Sequence, residues 1–558
     1  MKKFTSIILV LALVMAMSVG VFAADNVFAD EAAANAANLT AGTKITVAGR
    51  EYTTIDDAAK ITDPTGSYYL IKDIVWPEKN LGDFSGSFNG GNHKITISGD
   101  SMFGPVGGPT TYIANFTLVG EEVIALNKGF GLVGTEAHGG EFKNIVNYVG
   151  VLSNGEEVGS LFGNISSTSR SDTLVVENCV NYGLINGTQR SGGFIGAIGS
   201  ISAMTNITFT NCVNHGEVRC DGNYYAGGII GSIQGVQVES TITIENCVNN
   251  GAIYAAQSFV GGMIGGAYKA NAVPTTVNFV GCTNNGDISS VAVSNMHYGT
   301  GGIFGGIDQS SVTVNANACV NNGSVTAVQI AGGIVGGISK TGSARAVKVT
   351  ATNCVNTGAV TITDTGYCSA IVTSENGTAN GSGNISPDST IVVTDCLSTV
   401  ADLKVNDICE FLEDGTTVVI VPEITNAVTV ADAAAAVAAL TGKVEDVTFA
   451  AADGKVRVTV GTHTYENSFC KDCGAPDPYN PVVLENGGGD ENNGGEGETT
   501  TVPTTTTKAP VTTTAPTTTK PVDDKDEGGC KGFAAGSVAI VALMTAAASA
   551  LLLKKKEN

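Results

Sequence analysis

The residues best placed to do chemistry lie late in the chain, in the run His463-Thr-Tyr-Glu-Asn-Ser-Phe-Cys470-Lys-Asp-Cys473-Gly. Two thiolates separated by two residues can share one Zn²⁺ on a tight knuckle, and an imidazole at this distance can supply a third ligand. Gly461-Thr462 precedes the histidine, so no fourth nitrogen or sulfur donor stands there. The alternatives for the pair are a local disulfide or free thiols, and structural zinc at His463, Cys470 and Cys473 is the only cofactor the residues suggest. No motif places a glutamate base beside these residues, so a catalytic metal is not expected. The chain holds 13 cysteines in all. In an exported protein that number would suggest disulfides. Six of them, however, recur at one slot of a repeat, and equivalent side chains in stacked repeats run parallel instead of converging as a bridge requires. Reduced thiols are therefore expected, with strained bridges between neighbouring repeats as the alternative.

The repeat is what must position everything else. Its copies open with Asn178-Cys-Val-Asn-Tyr-Gly, Asn211-Cys-Val-Asn-His-Gly, Asn246-Cys-Val-Asn-Asn-Gly, Gly281-Cys-Thr-Asn-Asn-Gly, Ala318-Cys-Val-Asn-Asn-Gly and Asn353-Cys-Val-Asn-Thr-Gly. Five of them continue into a second signature: Gly192-Gly-Phe-Ile-Gly, Gly227-Gly-Ile-Ile-Gly, Gly261-Gly-Met-Ile-Gly, Gly301-Gly-Ile-Phe-Gly and Gly332-Gly-Ile-Val-Gly. Successive cysteines are 33, 35, 35, 37 and 35 residues apart. Such a period means one structural unit stacked on copies of itself.

Within one period there are three apolar runs, Ile242-Thr-Ile-Glu-Asn-Cys-Val, Ala252-Ile-Tyr and Met263-Ile-Gly-Gly, each too short for a helix and bounded by Gly or Asn. Three short strands per coil, stacked in parallel about 4.8 Å apart, would pair their backbone groups between coils and bury one face of each. The Gly-Gly pairs then mark positive φ or close backbone approach. A straight strand would put Ile242, Ile244 and Val248 on one face and Cys247 on the other. Weaker copies place Phe116 and Ile145 in the cysteine slot, so a bend at the preceding Asn is expected to turn the thiols inward. The result is an internal ladder of Cys179, Cys212, Cys247, Cys282, Cys319 and Cys354. Beside it, Asn181, Asn214, Asn249, Asn284, Asn321 and Asn356 form an amide ladder at a turn.

The case for an enzyme rests on the position after the turn glycine, where Glu217 and Asp287 fall two coils apart, about 9.6 Å by strand spacing. That is the outer limit for the two carboxylates of an inverting glycosidase. No Arg or Lys accompanies them, and solvated carboxylates are the simpler reading. Tyr182 and His215 occupy one turn slot that holds Asn250, Asn285, Asn322 and Thr357 elsewhere, so turn chemistry explains them. Tyr224, Tyr225, Tyr268 and Tyr298 are a candidate sugar-stacking strip, or simply packing. The net charge of −23 argues against nucleic acid, which needs basic stripes.

The stretch Phe84-Ser-Gly-Ser-Phe-Asn-Gly-Gly-Asn-His-Lys-Ile resembles the opening coils of right-handed parallel β-helix proteins, with Asn92 where that pattern has Gly. Gly131-Leu-Val-Gly and Ser160-Leu-Phe-Gly resemble the Gly-Leu-x-Gly motif of clostridial-type bacterial cell-surface proteins, some of them IgA-cleaving metallopeptidases. This implies a fold and a setting without the activity, since those peptidases need a His-Glu-x-x-His zinc domain that the chain lacks. His463…Cys470-Lys-Asp-Cys473-Gly is similar to small modules near the C-terminal ends of clostridial surface proteins.

The expected organisation is a signal peptide at 1–23, a leader and N-terminal cap at 24–67 and an all-β, right-handed parallel β-helix at 68–400. A small α/β capping region follows at 401–460, with a helix over Val430–Leu440 N-capped by Thr429. The knuckle occupies 461–480, a disordered Gly/Glu and Thr/Pro linker 481–530, a transmembrane helix 531–553 and a cytoplasmic tail 554–558. Met1-Lys-Lys before an apolar run reads as a secretory signal. Gly532–Leu553 carries no charge and is long enough for about 30 Å of hydrocarbon, with Lys554–Lys556 on the cytoplasmic side. Together these point to a single-pass, membrane-anchored surface protein of a Gram-positive bacterium, a non-catalytic adhesin for extracellular glycans or surface proteins. The alternative is a carbohydrate-active lyase or hydrolase.

Overall fold

The computed structural model describes residues 26–482, apart from 126–128, 168–172, 258, 269–272, 292–298, 309, 339–345, 374–387, 401–407 and 412–416. The expected signal peptide, nearly all of the linker, the transmembrane helix, the tail and Tyr298 lie outside the described residues. Among those described, no helix is long and apolar enough to cross a membrane.

The described chain is almost all β, with short strands stacked in register into long parallel sheets, the arrangement of a parallel β-helix. One coil runs through Ser240–Glu245, a bend, Val248–Asn249, Ile253–Ala255, Val260–Gly261 and Ile264–Tyr268 before Thr275–Val280 begins the next. These strands feed four sheets of 24, 8, 7 and 7 strands, so a coil has four faces where three apolar runs had suggested three. The missed face is Val260–Gly261 and its equivalents, mostly two or three residues long, which no hydrophobic period can announce. Parallel pairing also extends past residues 68–400 at both ends. It starts where Val27–Phe28 pairs with Lys44–Val47, continues where Arg50–Ile55 pairs with Ser67–Leu70, and ends where Glu423–Thr425 and Val428–Thr429 pair with Thr390–Thr394 and Leu397–Ser398.

The bend before each cysteine is a single residue in the left-handed region. It is Asn178, Asn211, Asn246, Gly281, Ala318, Asn353 and Asp395 at φ of 50–59°, with Asn92, Asn115 and Asn144 in the same slot below. Asn tolerates this conformation better than other side chains that carry a Cβ. One such residue reverses the alternation, so the cysteine turns inward and the following valine turns out. All six ladder cysteines are fully buried, as are Ile145 and Phe116 beneath them, and Cys396 adds a seventh thiol in an Asp-Cys-Leu-Ser copy too divergent to count by sequence. These seven thiols are free, as are Cys220, Cys470 and Cys473. Burial holds Cys179, Cys212, Cys319 and Cys354 well above the usual thiol range.

The amide ladder forms and starts one coil earlier than expected. From Asn147 through Asn181, Asn214, Asn249, Asn284 and Asn321 to Asn356, each Nδ2 donates to the next Oδ1 at 2.8 Å. Each Nδ2 from Asn181 onward also donates to the carbonyl of the turn glycine two residues on, at 2.8–3.0 Å. That glycine does not sit at positive φ; it serves close approach. A Cβ on Gly216, Gly251, Gly286, Gly323 or Gly358 would lie 1.8–2.0 Å from the carbonyl oxygen of the matching glycine one coil back.

Candidate functional site

The outward valines make an apolar stripe along the stack: Val180, Val213, Val248, Val320, Val355 and Leu397, all at most 4% exposed. The segment 430–482 covers them. Its helix Ala433–Leu440 is capped by Asp432, whose carboxylate accepts from the Ala435 N–H at 2.9 Å. Thr429 instead belongs to the last rung. The helix packs with the hairpin Val447–Ala452 and Lys455–Val460, so that Ala433, Ala436, Leu440, Phe449, Val456 and Val458 bury Ala318, Val320, Val355 and Leu397. The expected α/β cap therefore lies on the flank of the stack. The end rung keeps Ile424 and Val428 47% exposed. The outward stripe is apolar, and covering it removes that surface from water.

From the hairpin the chain runs back toward the N-terminal coils, tied at each step to residues of the repeat. Val456 exchanges two hydrogen bonds with the Asn322 amide, at 2.8 and 3.0 Å. The Val460 N–H donates to Asn246 Oδ1 at 3.1 Å, Asn178 Nδ2 to the Cys473 carbonyl at 2.8 Å, and Asn250 Nδ2 to the Pro478 carbonyl at 2.9 Å. At the far end Tyr148 Oη donates to the Val482 carbonyl at 2.9 Å, while the Val482 N–H donates to Tyr182 Oη at 3.0 Å. The breaks in the repeat consensus now have a cause. At Gly281 an added Cβ would meet Val460 Cγ2 at 2.2 Å, and Ala318 lies fully buried under the helix and hairpin.

Tyr148, Tyr182 and His215 form a column of stacked rings with centroids 4.6 and 4.7 Å apart. Turn chemistry does not account for them, because two of the three grip the returning chain. Burial pushes the His215 imidazole down to about 4, so it stacks as a neutral ring. Since the unfolded chain binds this proton at about pH 6.5, stability is expected to fall as pH drops from about 6.5 to about 4, by on the order of 3 kcal/mol. His215→Asn, the residue of the next three coils, should flatten that interval in urea titrations at stepped pH. An unchanged slope would remove His215 as its source.

The three predicted ligands come together within this returning segment. The donor atoms of His463, Cys470 and Cys473 all lie within 4.8 Å of one another, Cys473 exposed and Cys470 buried. His463 Nδ1 is 3.3 Å from Cys473 Sγ, and Nε2 is 3.1 Å from the Val460 carbonyl. The knuckle closes through the Gly474 N–H to the Cys470 carbonyl at 2.9 Å, with Gly474 at φ 74°, and through the Cys470 N–H to the Ala475 carbonyl at 2.7 Å. Burial raises the Cys470 thiol, but the N–H groups of Asp472 and Cys473 and the His463 ring outweigh it and hold the thiol low. Burial and the neighbouring Cys470 sulfur push Cys473 up.

The other candidates do not converge on chemistry. A cation does accompany Glu217, contrary to expectation: Arg219, two residues on along the chain, pairs with it at 3.0 Å, also holds Asp221 at 2.8 Å and lies over the Tyr254 ring. Asp287 accepts from the Ser324 N–H and hydroxyl at 2.9 and 2.7 Å. Tyr225 is buried and stacked on Phe259 at 4.8 Å, so it is core and not part of a sugar strip. One polar cluster had no sequence signal, because its members come from different coils. Ser166 Oγ lies 3.1 Å from His138 Nε2 and donates to Glu136 Oε2 at 2.8 Å, while Glu136 Oε2 lies 3.0 Å from the same Nε2. Serine and carboxylate thus compete for one ring nitrogen, and the buried Nδ1 has no partner among the described residues. A relay needs the acid on one nitrogen and the serine on the other.

No family model matches this chain, and no curated protein matches it. Among solved structures, a crystal structure of "a putative immunoglobulin A1 protease" from Bacteroides ovatus aligns over 77% of this chain and 96% of that chain, at 15% identity and a TM-score of 0.29. A likeness at that distance carries no functional argument.

Proposed function

We propose that this chain is a membrane-anchored extracellular repeat protein of a Gram-positive bacterium, a right-handed β-helical rod whose outer face makes non-catalytic contact with glycans or surface proteins. The observation that supports this reading is the outer face of the longest sheet. Thr208, Thr243, Asn278, Asn315 and Thr350 stand in one row by strand register, and Thr241, Thr276 and Thr313 stand in a row beside it. All are partly exposed, and their rungs recur about every 4.8 Å. Rows of hydroxyls and amides on a flat sheet suit an extended polymer with many hydrogen-bonding groups, where weak contacts add by multivalency. The right-handed sense is the one that parallel strand connections overwhelmingly take.

The body's last described residue, Val482, sits beside Tyr148 and Tyr182. An anchor placed beyond it would tether the rod from this flank, near the N-terminal coils, through the expected linker 481–530. The test is to incubate the protein with mucin, plant and cell-wall glycans. Binding on a glycan array that is lost with Thr243→Lys plus Asn278→Lys, without new reducing ends, is the expected result. New reducing ends or unsaturated products would replace this reading with a carbohydrate-active enzyme.

A further inference from the structure

We infer that His463, Cys470 and Cys473 bind one soft divalent metal ion, with Zn²⁺ the best fit, and that filling this site clasps the segment 430–482 onto the valine stripe. Two thiolates and an imidazole favour zinc among common divalent ions, because hard ions select oxygen donors. Donors on one tetrahedral zinc stand about 3.6 to 3.8 Å apart given bonds of about 2.1 to 2.3 Å. The observed spread, up to 4.8 Å with Nδ1 and Sγ at 3.3 Å, needs only side-chain adjustment to reach that. No fourth donor joins the group among the described residues.

The surroundings already orient the ligands. His463 Nε2 donates to the Val460 carbonyl, which leaves the Nδ1 lone pair facing the thiols, the arrangement that metal-bound histidines use. The peptide groups that do this orienting also dock the segment. The Val460 N–H is held by Asn246, and the Cys473 carbonyl by Asn178. These two asparagines are part of a second amide ladder in the bend slot, Asn246 to Asn211 at 2.8 Å and Asn211 to Asn178 at 3.1 Å. A metal that joins residue 463 to residues 470 and 473 therefore ties together two docking points on coils two apart. The open loop loses freedom, and the docked state gains by mass action wherever the metal binds it preferentially.

The test uses the full-length protein, purified in detergent, reduced and stripped of metal with a chelator. Addition of Co²⁺ should give one ion per chain, with the sulfur-to-cobalt charge-transfer and tetrahedral d–d bands that two thiolates produce, and Zn²⁺ should displace it. Hydrogen exchange should then slow about tenfold or more at the Val460 and Val482 amides when free metal is about ten times its Kd. The Val248 amide, bonded to the Cys212 carbonyl within the stack, should not change and reports that the stack is folded. Cys470→Ser should abolish the charge-transfer bands and the slowing while leaving Val248 protected; His463→Ala should weaken Co²⁺ binding at least tenfold. Less than 0.1 ion per chain would overturn the inference, as would a Cys470–Cys473 disulfide that re-forms in the presence of metal. Bound metal with Val460 and Val482 exchange changed less than twofold would overturn the clasp.

Discussion

Gly251→Ala is expected to destabilise the central coils by more than about 3 kcal/mol, the upper part of the range for forcing atoms into a filled space. The added methyl would stand 1.9 Å from the Gly216 carbonyl oxygen and 2.6 Å from its carbon. Neither atom belongs to a side chain that can rotate away. Gly216 is fixed by its own N–H to the Asn181 carbonyl at 3.1 Å, and the neighbouring Asn250 N–H donates to the Asn214 carbonyl at 2.7 Å. Relief would mean prising one coil from the next, against hydrogen bonds repeated on every face. Because each coil contacts mainly its neighbours, the damage should be local, and calorimetry should show the single transition splitting or dropping steeply. The control is Gly442→Ala, which has open space around the new methyl but sits at φ 75°. There the cost should be only about 1 kcal/mol of left-handed backbone strain. Equal effects at the two sites would mean that close packing between coils is not what the turn glycine provides.

Asn249→Leu should cost about 3 kcal/mol or more, although leucine has the same branched skeleton and the site is buried. The amide takes part in three bonds, all at 2.8 Å: Nδ2 donates to Asn284 Oδ1 and to the Gly251 carbonyl, and Oδ1 accepts from Asn214 Nδ2. Leucine leaves Asn284 Oδ1 without its amide donor in a place water does not reach, since Asn214, Asn249 and Asn284 are all fully buried. Each orphaned buried polar group costs roughly 1–3 kcal/mol. Asn315→Ala is the comparison. Its amide also bonds along a row, to Asn278 at 2.9 Å, but on the partly exposed outer face, where water replaces what is lost. We expect less than about 1 kcal/mol there. Denaturant midpoints of the two variants against the parent decide it, and a loss at Asn249 no larger than at Asn315 would contradict a buried ladder.

Asn249 and Gly251 recur in copy after copy, and an amide followed two residues later by glycine can only be reconciled with stacking if both serve the contact between coils. The inward cysteine was legible for a similar reason, because Phe116 and Ile145 share its slot. What that reasoning missed was its own consequence. If one residue in the left-handed region turns Cys247 in, Val248 must turn out, and a row of outward valines requires a cover. That His463, Cys470 and Cys473 meet was legible from spacing along a short run. The neighbours that orient it, Asn178, Asn246 and the Val460 carbonyl, were not, nor was the meeting of Glu136, His138 and Ser166.

Local pattern was enough to establish a stacked all-β repeat, its period, the bend before each cysteine and the two ladders, because each depends on residues a few positions apart, repeated until chance is excluded. The tertiary structure alone decided that the C-terminal segment lies along the flank and not over the end, that Tyr182 and His215 belong to a ring column gripping Val482, and that Gly281 departs from the consensus to admit Val460. The hydrogen bonds that dock the segment, from Asn322–Val456 to Tyr148–Val482, join residues 134 to 334 positions apart, and each is made once. A pairing that never recurs leaves no period to read, and its energy comes from apolar area covered in three dimensions.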